Sequence, residues 1–223
     1  MRVSILVPML DEAAQLPALC AHLHGLAQAG AEVILIDGGS RDGSAQIARA
    51  KGFKVLESAP GRALQMNAGA RASRGEALLF LHADTRLPEG ALRAVAQALR
   101  GRAWGRFDVR IEGRPWMLRV VASLMNLRSR LTGIATGDQA LFMTRAAFEA
   151  VGGFPAQPLM EDIDICRALK RRCGPPACLR LRVRTSGRRW ETRGVWRTIA
   201  LMWWLRWQHF RGVPAERLAR AYR

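Results

Sequence analysis

The chain has 223 residues, of which 49% are hydrophobic, and a formal net charge of +17. This length and apolar content fit one α/β domain with a small appendage and exclude an intrinsically disordered chain. The charge is uneven, because residues 167–223 hold 16 Lys and Arg against only Glu191 and Glu216. This basic third predicts an anionic partner (a membrane surface, a phosphorylated substrate or nucleic acid), although a genome rich in Arg codons would also explain it.

The cysteines and the apolar runs indicate the compartment. The four cysteines form no CxxC pair and no His cluster accompanies them, which argues against a zinc site and favours a reducing cytoplasm. No signal-peptide pattern is recognisable, and the best candidate for a spanning helix, Val195–Phe210, is interrupted by Arg197 and Arg206. We therefore expect a cytoplasmic protein, and peripheral attachment to the inner face of the cell membrane is compatible with that expectation.

Residues 1–100 alternate short apolar runs with longer helical patterns. The patterns predict strands at residues 3–7, 32–36, 53–57 and 77–81, and helices at 12–29 (with Asp11 as the N-cap), 42–50, 60–72 and 90–99. Continuous apolar strands separated by helices predict a parallel sheet covered on both faces. Ligands bind such sheets at the carboxyl ends of the strands, so we expect a site near residues 8–12, 37–42 and 82–85.

After Gly101 the pattern is mixed. Strands are predicted at residues 104–111, 139–143 and 179–184, helices at 114–131 and 161–172, and a Gly/Thr loop at 132–138. Two more helices, at 194–211 and 214–221, form a basic tail that is rich in Trp. The first of them suits an amphipathic helix at a membrane surface, a core helix packed on the sheet, or a dimer contact.

Two segments that close predicted strands carry carboxylates. Asp37 opens an Asp-Gly-Gly-Ser-Arg-Asp-Gly run, where glycines let the backbone approach a ligand and Asp37 can accept hydrogen bonds from a base or ribose. Asp84 follows a wholly apolar strand, and a carboxylate in that position can hold Mg²⁺ or Mn²⁺ on substrate phosphates. Each Asp could equally cap a helix, so neither motif is decisive alone.

Three further segments have the residue types of a substrate site. Glu161, Asp162 and Asp164 suit a cation or a general base, but also an ordinary helix N-terminus. Arg188-Arg189-Trp190 offers bidentate phosphate ligands and a flat face for a sugar ring, or is simply part of the basic third. The run Gly61–Gly69 opens a helix with Arg62, a natural phosphate contact.

Taken in order, these segments resemble the family-2 inverting glycosyltransferases, which have the GT-A fold. The similar segments are Val3–Pro8 with Asp11-Glu12, Ile36–Gly43, Gly61-Arg62 with Asn67–Gly69, His82–Asp84, Glu161-Asp162 and Arg188–Trp190. They cover residues 3–190, and their common order is a stronger signal than any single motif. The versions at residues 61–69 and 82–85, with the Trp-rich helix, most resemble a small bacterial branch that is often labelled for arsenosugar biosynthesis.

The resemblance implies an α/β fold of the GT-A type, with a mostly parallel central sheet flanked by helices. It implies a catalytic domain at residues 1–193, with a nucleotide-binding half (1–100) and an acceptor half (101–193), followed by the helical tail (194–223). Asp84 and His82 would hold the metal, and Asp162 would be the general base with Glu161 beside it. The residues expected to bind the nucleotide sugar are Pro8, Glu12, Asp37, Gly39, Arg62, Asn67, Asp84, Asp138, Arg189 and Trp190.

The implied reaction moves a sugar from a nucleotide-sugar donor to an acceptor hydroxyl with inversion, and it depends on Mg²⁺ or Mn²⁺. A UDP-sugar is the expected donor and a GDP-sugar the alternative; the acceptor would be lipid-linked if the tail lies on an anionic membrane surface. Three departures from the family pattern bear on these expectations. His82 replaces the first Asp of Asp-x-Asp, Gly38 replaces the second Asp of the uridine-contacting pair, and Gln-x-x-Arg-Trp lacks its Gln. Metal binding then depends mainly on Asp84. The preference for a nucleotide base is left open, and processive polymerisation is not expected.

Two other functions fit parts of the sequence. A non-catalytic protein on the same fold that binds a membrane surface or nucleic acid would explain the charge, but no nucleic-acid-binding motif is recognisable and we expect no such partner. A sugar-nucleotidyltransferase also has a parallel sheet. It would be expected to carry a Gly-rich loop and a basic residue after the first strand, and Pro8–Glu12 has neither.

Overall fold

The structure is a computed structural model that describes residues 1–222. In these residues, eight strands form one sheet in the order β3-β2-β1-β4-β7-β6-β8-β5. The strands are β1 Val3–Met9, β2 Glu32–Asp37, β3 Lys54–Glu57, β4 Ala77–Phe80, β5 Thr85–Arg86, β6 Trp104–Glu112, β7 Phe142–Thr144 and β8 Ala177–Ser186.

Helices cover the sheet and form the end of the described chain. They are α1 Leu16–Gln28, α2 Ser44–Ala50, α3 Arg62–Ala72, α4 Ala91–Ala98, α5 Met117–Thr132, α6 Arg145–Ala150, α7 Glu161–Cys173, α8 Arg188–Arg193, α9 Val195–Phe210 and α10 Ala215–Tyr222, with a 3₁₀ turn at Gly137–Gln139. None of the helices within residues 1–222 combines the length and the apolar character needed to cross a membrane.

The first half of the sheet is parallel. Strands β3, β2, β1 and β4 all pair in parallel, and β7 then pairs antiparallel with both β4 and β6. Successive side chains point to opposite faces, so Ile5 and Val7 are buried in one apolar cluster and Leu6 in another. The α/β fold with a largely parallel, helix-flanked sheet is confirmed, and the carboxyl ends of β1, β2 and β4 meet at one edge.

Some predicted elements are corrected by the structure. Helix α1 begins at Leu16 rather than at residue 12, and its N-cap is Gln15 instead of Asp11. Asp11 has a φ of 54°, outside the conformation usual for an N-cap, and its Oδ1 accepts a hydrogen bond from the backbone N–H of Arg41 at 2.8 Å. The sequence pattern also did not indicate α6, α8 or the two-residue strand β5.

Gln65 joins the ends of two central strands. Its Nε2 donates to the backbone oxygens of Met9 and Ile36, both at 2.8 Å. A Cβ atom at Gly38 would lie 3.0 Å from this same nitrogen, closer than such contacts normally are. The Gly at position 38, where the family pattern has Asp, therefore leaves the space that Gln65 occupies.

The tail packs on the body instead of standing apart from it. Leu205 of α9 and Leu218 of α10 are buried with Met160 and Ile163, at the start of α7. Outside this contact, α9 exposes a row of large apolar side chains, Trp196, Trp203, Trp204, Trp207 and Phe210. Helix α9 thus has one face in a core and another in solvent.

Candidate active site

A cavity of about 520 Å³ opens at the carboxyl edge of β1 and β4. Strand ends, the start of α7, helix α8 and the tail all contribute to its wall. Its charged lining is mixed, with the acids Glu12, Asp84, Asp138, Glu161 and Asp162 and the arginines Arg62, Arg188, Arg189, Arg193 and Arg206. An acidic and basic lining of this kind can take a metal ion together with phosphate groups.

Asp84 lies in the cavity wall between β4 and β5. The Thr85 hydroxyl lies 3.3 Å from Asp84 Oδ1 and 3.1 Å from the hydroxyl of Thr185 on the neighbouring strand β8. Burial raises the pKa of Glu12, and the negative charge of Asp84 raises it further. Two carboxylates on the wall of one cavity fit a divalent cation, which would relieve the repulsion that Asp84 exerts on Glu12.

The donor set is small for a resident metal. Within residues 1–222, no three His, Cys, Asp or Glu side chains come together as a metal-holding group. Mg²⁺ sites of the phosphate-transfer type use one or two carboxylates and complete the coordination with water and substrate phosphates. Asp84, with Glu12 nearby, therefore fits an ion that is bound jointly with a diphosphate.

His82 is turned away from this role in the structure. Its Nδ1 lies 3.1 Å from Oδ1 of Asp138, and because a carboxylate only accepts hydrogen bonds, that nitrogen carries the proton. The other ring nitrogen, Nε2, lies against Gly137, where an added Cβ would collide with it. In this arrangement His82 positions Asp138, whose side chain is 46% exposed to the cavity, and the metal prediction depends on Asp84.

The start of α7 brings Glu161 and Asp162 to the cavity. Met160 precedes them with a φ of 67°, which turns the chain into the helix. Asp162 accepts hydrogen bonds from the backbone N–H of Gly137 at 3.0 Å and of Ile163 at 2.8 Å. Asp162 is thus held by two backbone donors on the cavity wall.

Glu161 is much less accessible than Asp162. Its residue is 3% exposed, and Arg62 Nη1 lies 3.6 Å from its Oε1. Burial raises the pKa of Glu161, repulsion from Asp162 adds to the rise, and Arg62 opposes it. Glu161 is suited to hold Arg62 at the cavity, while Asp162 is better placed to meet a substrate.

Arg189 and Trp190 line the cavity from helix α8. The Arg189 guanidinium carbon lies 4.4 Å from the centroid of the Tyr222 ring, a cation–π contact between α8 and α10. Pro8, near the end of β1, also lines the cavity. The structure thus brings together ten of the expected residues: Pro8, Glu12, Arg62, His82, Asp84, Asp138, Glu161, Asp162, Arg189 and Trp190.

Three expected residues do not line this cavity. Asp37 is buried and accepts hydrogen bonds within its own turn, from the Ser40 hydroxyl at 2.5 Å and from the backbone N–H of Gly39 at 3.1 Å. Asn67 binds the backbone of Phe154 twice, through its Nδ2 at 2.8 Å and its Oδ1 at 2.9 Å. In this structure, the turn at residues 37–40 and Asn67 stabilise the loops around the cavity.

Sequence reasoning missed the residues that the tail supplies. Met202, Leu205 and Arg206 of α9 and Tyr222 of α10 are part of the cavity wall. The alternation of apolar and basic residues in α9 showed that the helix has two faces, but nothing in one sequence told which face meets the site. The sequence predicts a loop at residues 132–138, whereas the structure has a 3₁₀ turn at Gly137–Gln139, and the backbone N–H of Gly137 donates to Asp162.

The chain was compared with known families and structures. The model of the family described as glycosyl transferase family 2 matches residues 4–149, which is more than half of the chain. No curated protein sequence matches it. The branch labelled for arsenosugar biosynthesis is not supported by any of these comparisons.

Three solved structures from different organisms are similar to the chain in fold. S. aureus TarS is 18% identical with a TM-score of 0.62, covering 83% of this chain and 37% of that one. The mannosyltransferase PcManGT of Pyrobaculum calidifontis, solved with GDP-Man and Mn²⁺, is 21% identical with a TM-score of 0.63, covering 82% and 56%. M. tuberculosis glucosyl-3-phosphoglycerate synthase is 17% identical with a TM-score of 0.62, covering 82% and 71%.

These structures establish a shared fold and differ from the chain in length. The chain spans between 37% and 61% of the first three matched chains. Others of the matched structures were solved with UDP-GlcNAc, or with UDP-glucose and Mn²⁺.

Proposed function

The chain belongs to glycosyl transferase family 2 and is a glycosyltransferase, and from this premise we propose an inverting, metal-dependent transfer of a sugar from a nucleoside-diphosphate donor to an acceptor hydroxyl. Family membership decides against the nucleotidyltransferase alternative. The observation that carries the proposal is a single cavity in which Asp84 and Asp162 are both present among arginines. Such a lining provides for a diphosphate and for a base in the same space.

Asp84 would hold Mg²⁺ or Mn²⁺ on the donor diphosphate, with Glu12 close to it. A divalent ion there neutralises the charge that develops on the leaving diphosphate. Arg62, Arg188 and Arg189 line the same cavity and can donate to phosphate oxygens. We take a UDP-sugar as the first donor to test and a GDP-sugar as the alternative, because related folds have been solved with both kinds.

Asp162 would act as the general base. The acceptor O–H gives its proton to the Asp162 carboxylate while its oxygen forms a bond to the anomeric carbon on the face opposite the diphosphate. The bond between that carbon and the diphosphate oxygen breaks, and its electron pair leaves with the nucleoside diphosphate. The configuration at the anomeric carbon is therefore inverted.

The test is a donor panel. We expect nucleotide release from a UDP- or GDP-sugar with Mn²⁺ or Mg²⁺ and its loss after chelation of the metal. Asp84→Asn should lower the metal-dependent rate by about 10²–10³-fold, since it removes charge stabilisation of the leaving group. An Asp84→Asn enzyme with unchanged rate and metal dependence would contradict the role of Asp84. A wild-type protein that neither binds nor cleaves any donor would contradict the proposed transfer.

We also propose that α9 lies on an anionic membrane surface. Trp203 is 76% exposed and Trp207 is 54% exposed, and Arg211 lies 4.8 Å from the Trp207 ring centroid. Helix α5 adds a second exposed apolar row at a spacing of three to four residues, which consists of Trp116, Val120, Leu124, Leu127 and Leu131. Exposed Trp and Leu flanked by Arg are typical of a helix lying in the headgroup plane.

A further inference from the structure

Arg128 on α5 and Arg206 on α9 form a buried cationic pair beside Asp162. The Nε and Nη2 atoms of Arg128 and the Nη2 atom of Arg206 are buried, and among residues 1–222 they find no hydrogen-bond partner. Buried side-chain nitrogens nearly always have such a partner in a native protein. Three unpartnered guanidinium nitrogens in one region therefore leave an unmet demand for hydrogen-bond acceptors there.

The charge around Arg128 and Arg206 is positive and is not balanced by nearby carboxylates. Asp162 is the nearby carboxylate that acts on both arginines, and its own oxygens already accept from two backbone N–H groups. Arg167 adds a further positive charge near Arg206, although it pairs with Asp164 at 3.2 Å. Burial, with the repulsion of Arg206, lowers the pKa of Arg128 to about 10, so it stays charged at neutral pH.

Arg206 lies at the Asp162 end of the cavity, whereas Arg128 is outside the cavity lining. Arg206 lines the cavity, and the groups that act on its charge are Asp162, Cys166 and Arg167. The charge of Arg189, by contrast, is influenced by Asp138 and Asp84. In an in-line displacement the leaving diphosphate and the attacking acceptor lie on opposite sides of the anomeric carbon. An anion held by Arg206 is thus on the acceptor side.

We propose that Arg206, with the added positive charge of Arg128, forms a subsite for a phosphate group carried by the acceptor, an inference that rests on the proposed function for the roles of Asp84 and Asp162. The acceptor hydroxyl faces Asp162 while its phosphate accepts hydrogen bonds from the Arg206 guanidinium group. A planar donor fork next to a second positive charge matches the oxygens and the charge of a phosphate better than it matches a neutral sugar. The phosphate can belong to a small soluble molecule or to a lipid headgroup.

The soluble source is tested with glycerol 3-phosphate. The probe is titrated into the full chain by calorimetry, with and without saturating UDP and Mn²⁺, so that binding at the donor end is recognised by its competition with UDP. Arg206→Gln should weaken probe binding by about tenfold or more, because a charge-assisted hydrogen bond is lost. Arg128→Gln should weaken binding by less, because it removes a nearby positive charge and no contact with the probe. UDP affinity should not change. Arg197→Gln, an exposed arginine on the same helix, is the matched control and should bind like wild type.

The lipid source is tested with phosphatidylcholine vesicles that contain either phosphatidic acid or phosphatidylserine at equal surface charge. A preference for phosphatidic acid that disappears in Arg206→Gln and persists in Arg197→Gln supports a lipid phosphate. The inference is overturned if neither probe distinguishes the Arg206 and Arg128 variants from wild type, or if UDP displaces the probe. Failure to bind UDP would count against the proposed function alone, since the titration without UDP still reports on Arg206.

Discussion

At the scale of single residues, Glu12 and Asp84 carry charges of the same sign on the wall of one cavity. Burial and Asp84 both raise the pKa of Glu12 above its usual value of 4.5. A raised pKa in the folded state means that ionisation of Glu12 opposes folding, so this contribution to stability is present below pH 4.5 and is lost as the pH rises through the folded pKa. We predict that Glu12→Gln has a higher Tm than wild type at neutral pH in the absence of metal, and that the two curves merge below pH 4.5.

The control for this prediction is Glu89→Gln, an exposed glutamate outside the active-site cavity, which should leave Tm unchanged. Thermal unfolding followed by circular dichroism from acid to neutral pH provides the measurement. If Glu12→Gln is less stable than wild type at neutral pH, the two carboxylates do not repel each other as inferred.

Asp162 tests the catalytic assignment. Asp162→Asn keeps an oxygen that can accept from the Gly137 N–H, but it removes the proton acceptor. We predict a fall in kcat of about 10²–10⁴-fold, the usual contribution of a general base, with donor affinity unchanged in a UDP titration. Asp164→Asn, on the same turn but outside the cavity lining, should change kcat far less; equal losses in both variants would indicate a structural effect on α7.

The sequence predicted the positions of residues next to strand ends. It did not predict the roles of residues that depend on contacts with distant parts of the chain. Asp84 lies in the short segment between β4 and β5, so its position at the carboxyl edge of the sheet could be predicted from the strand pattern. Gln65 acts by binding Met9 and Ile36, at separations of 56 and 29 residues. Arg206 meets the cavity only because α9 packs on α7, and nothing local in the sequence encodes that packing.

At the scale of elements, Asn67 links helix α3 to the turn that follows α6. Its two hydrogen bonds to the Phe154 backbone give it a structural role in place of the donor contact expected from the family pattern. We predict that Asn67→Ala lowers the free energy of unfolding by about 1–3 kcal/mol, since it leaves backbone groups without partners. Donor affinity should stay within about twofold of wild type in a UDP titration, a change of under 1 kcal/mol.

A contrary result is easily recognised for Asn67. A large loss of UDP affinity, with unchanged stability in urea unfolding, would show that Asn67 contributes to donor binding. Asn67→Asp provides the matched variant, because it keeps the acceptor for the Phe154 N–H and loses only the donor to the Phe154 oxygen. It should fall between wild type and Asn67→Ala in stability.

Several elements lie close to where the sequence predicts them. The strands β1, β2 and β4 and the helices α3, α7 and α9 lie within a few residues of their expected bounds. The start of α1 was wrong, because an acidic residue before an apolar run suggests a cap while the backbone at Asp11 is bent to meet Arg41. Helix α8 has no buried residue, so it leaves no amphipathic pattern to read.

At the scale of the whole molecule, the exposed rows of α5 and α9 predict membrane binding. We expect the wild-type chain to float with anionic vesicles at low salt and less with neutral ones. Trp203→Ser with Trp207→Ser should reduce vesicle binding by about tenfold or more, since two exposed aromatic anchors are removed. Leu64→Ser, which changes an exposed apolar residue on α3, is the control and should float like wild type.

Two results would contradict the membrane proposal. One is a wild-type protein that stays at the bottom of the gradient with anionic vesicles at low salt. The other is equal flotation of the double Trp variant and wild type. Donor cleavage measured without vesicles should be the same in the double variant and in wild type, because both Trp side chains lie outside the cavity lining.

The fold class followed from the alternation of apolar strands and helices, because that alternation has few compact solutions. How the tail at residues 194–223 packs could not be predicted from the sequence, which left a membrane surface, the core and a dimer contact open. A basic composition distinguishes these residues from the body, but their buried residues Leu205 and Leu218 pack against α7. Composition reports what a segment exposes, whereas packing depends on the few side chains that it buries.

The position of the tail in the cavity wall has a consequence for biosynthesis. Chains fold largely from the N-terminus as they leave the ribosome, so the parallel strands β1 to β4 emerge well before Arg206 and Tyr222. A nascent chain can thus form its parallel strands while the wall beside Asp162 is still missing. On the proposed function, sugar transfer would begin only after α9 has been synthesised and has docked on α7.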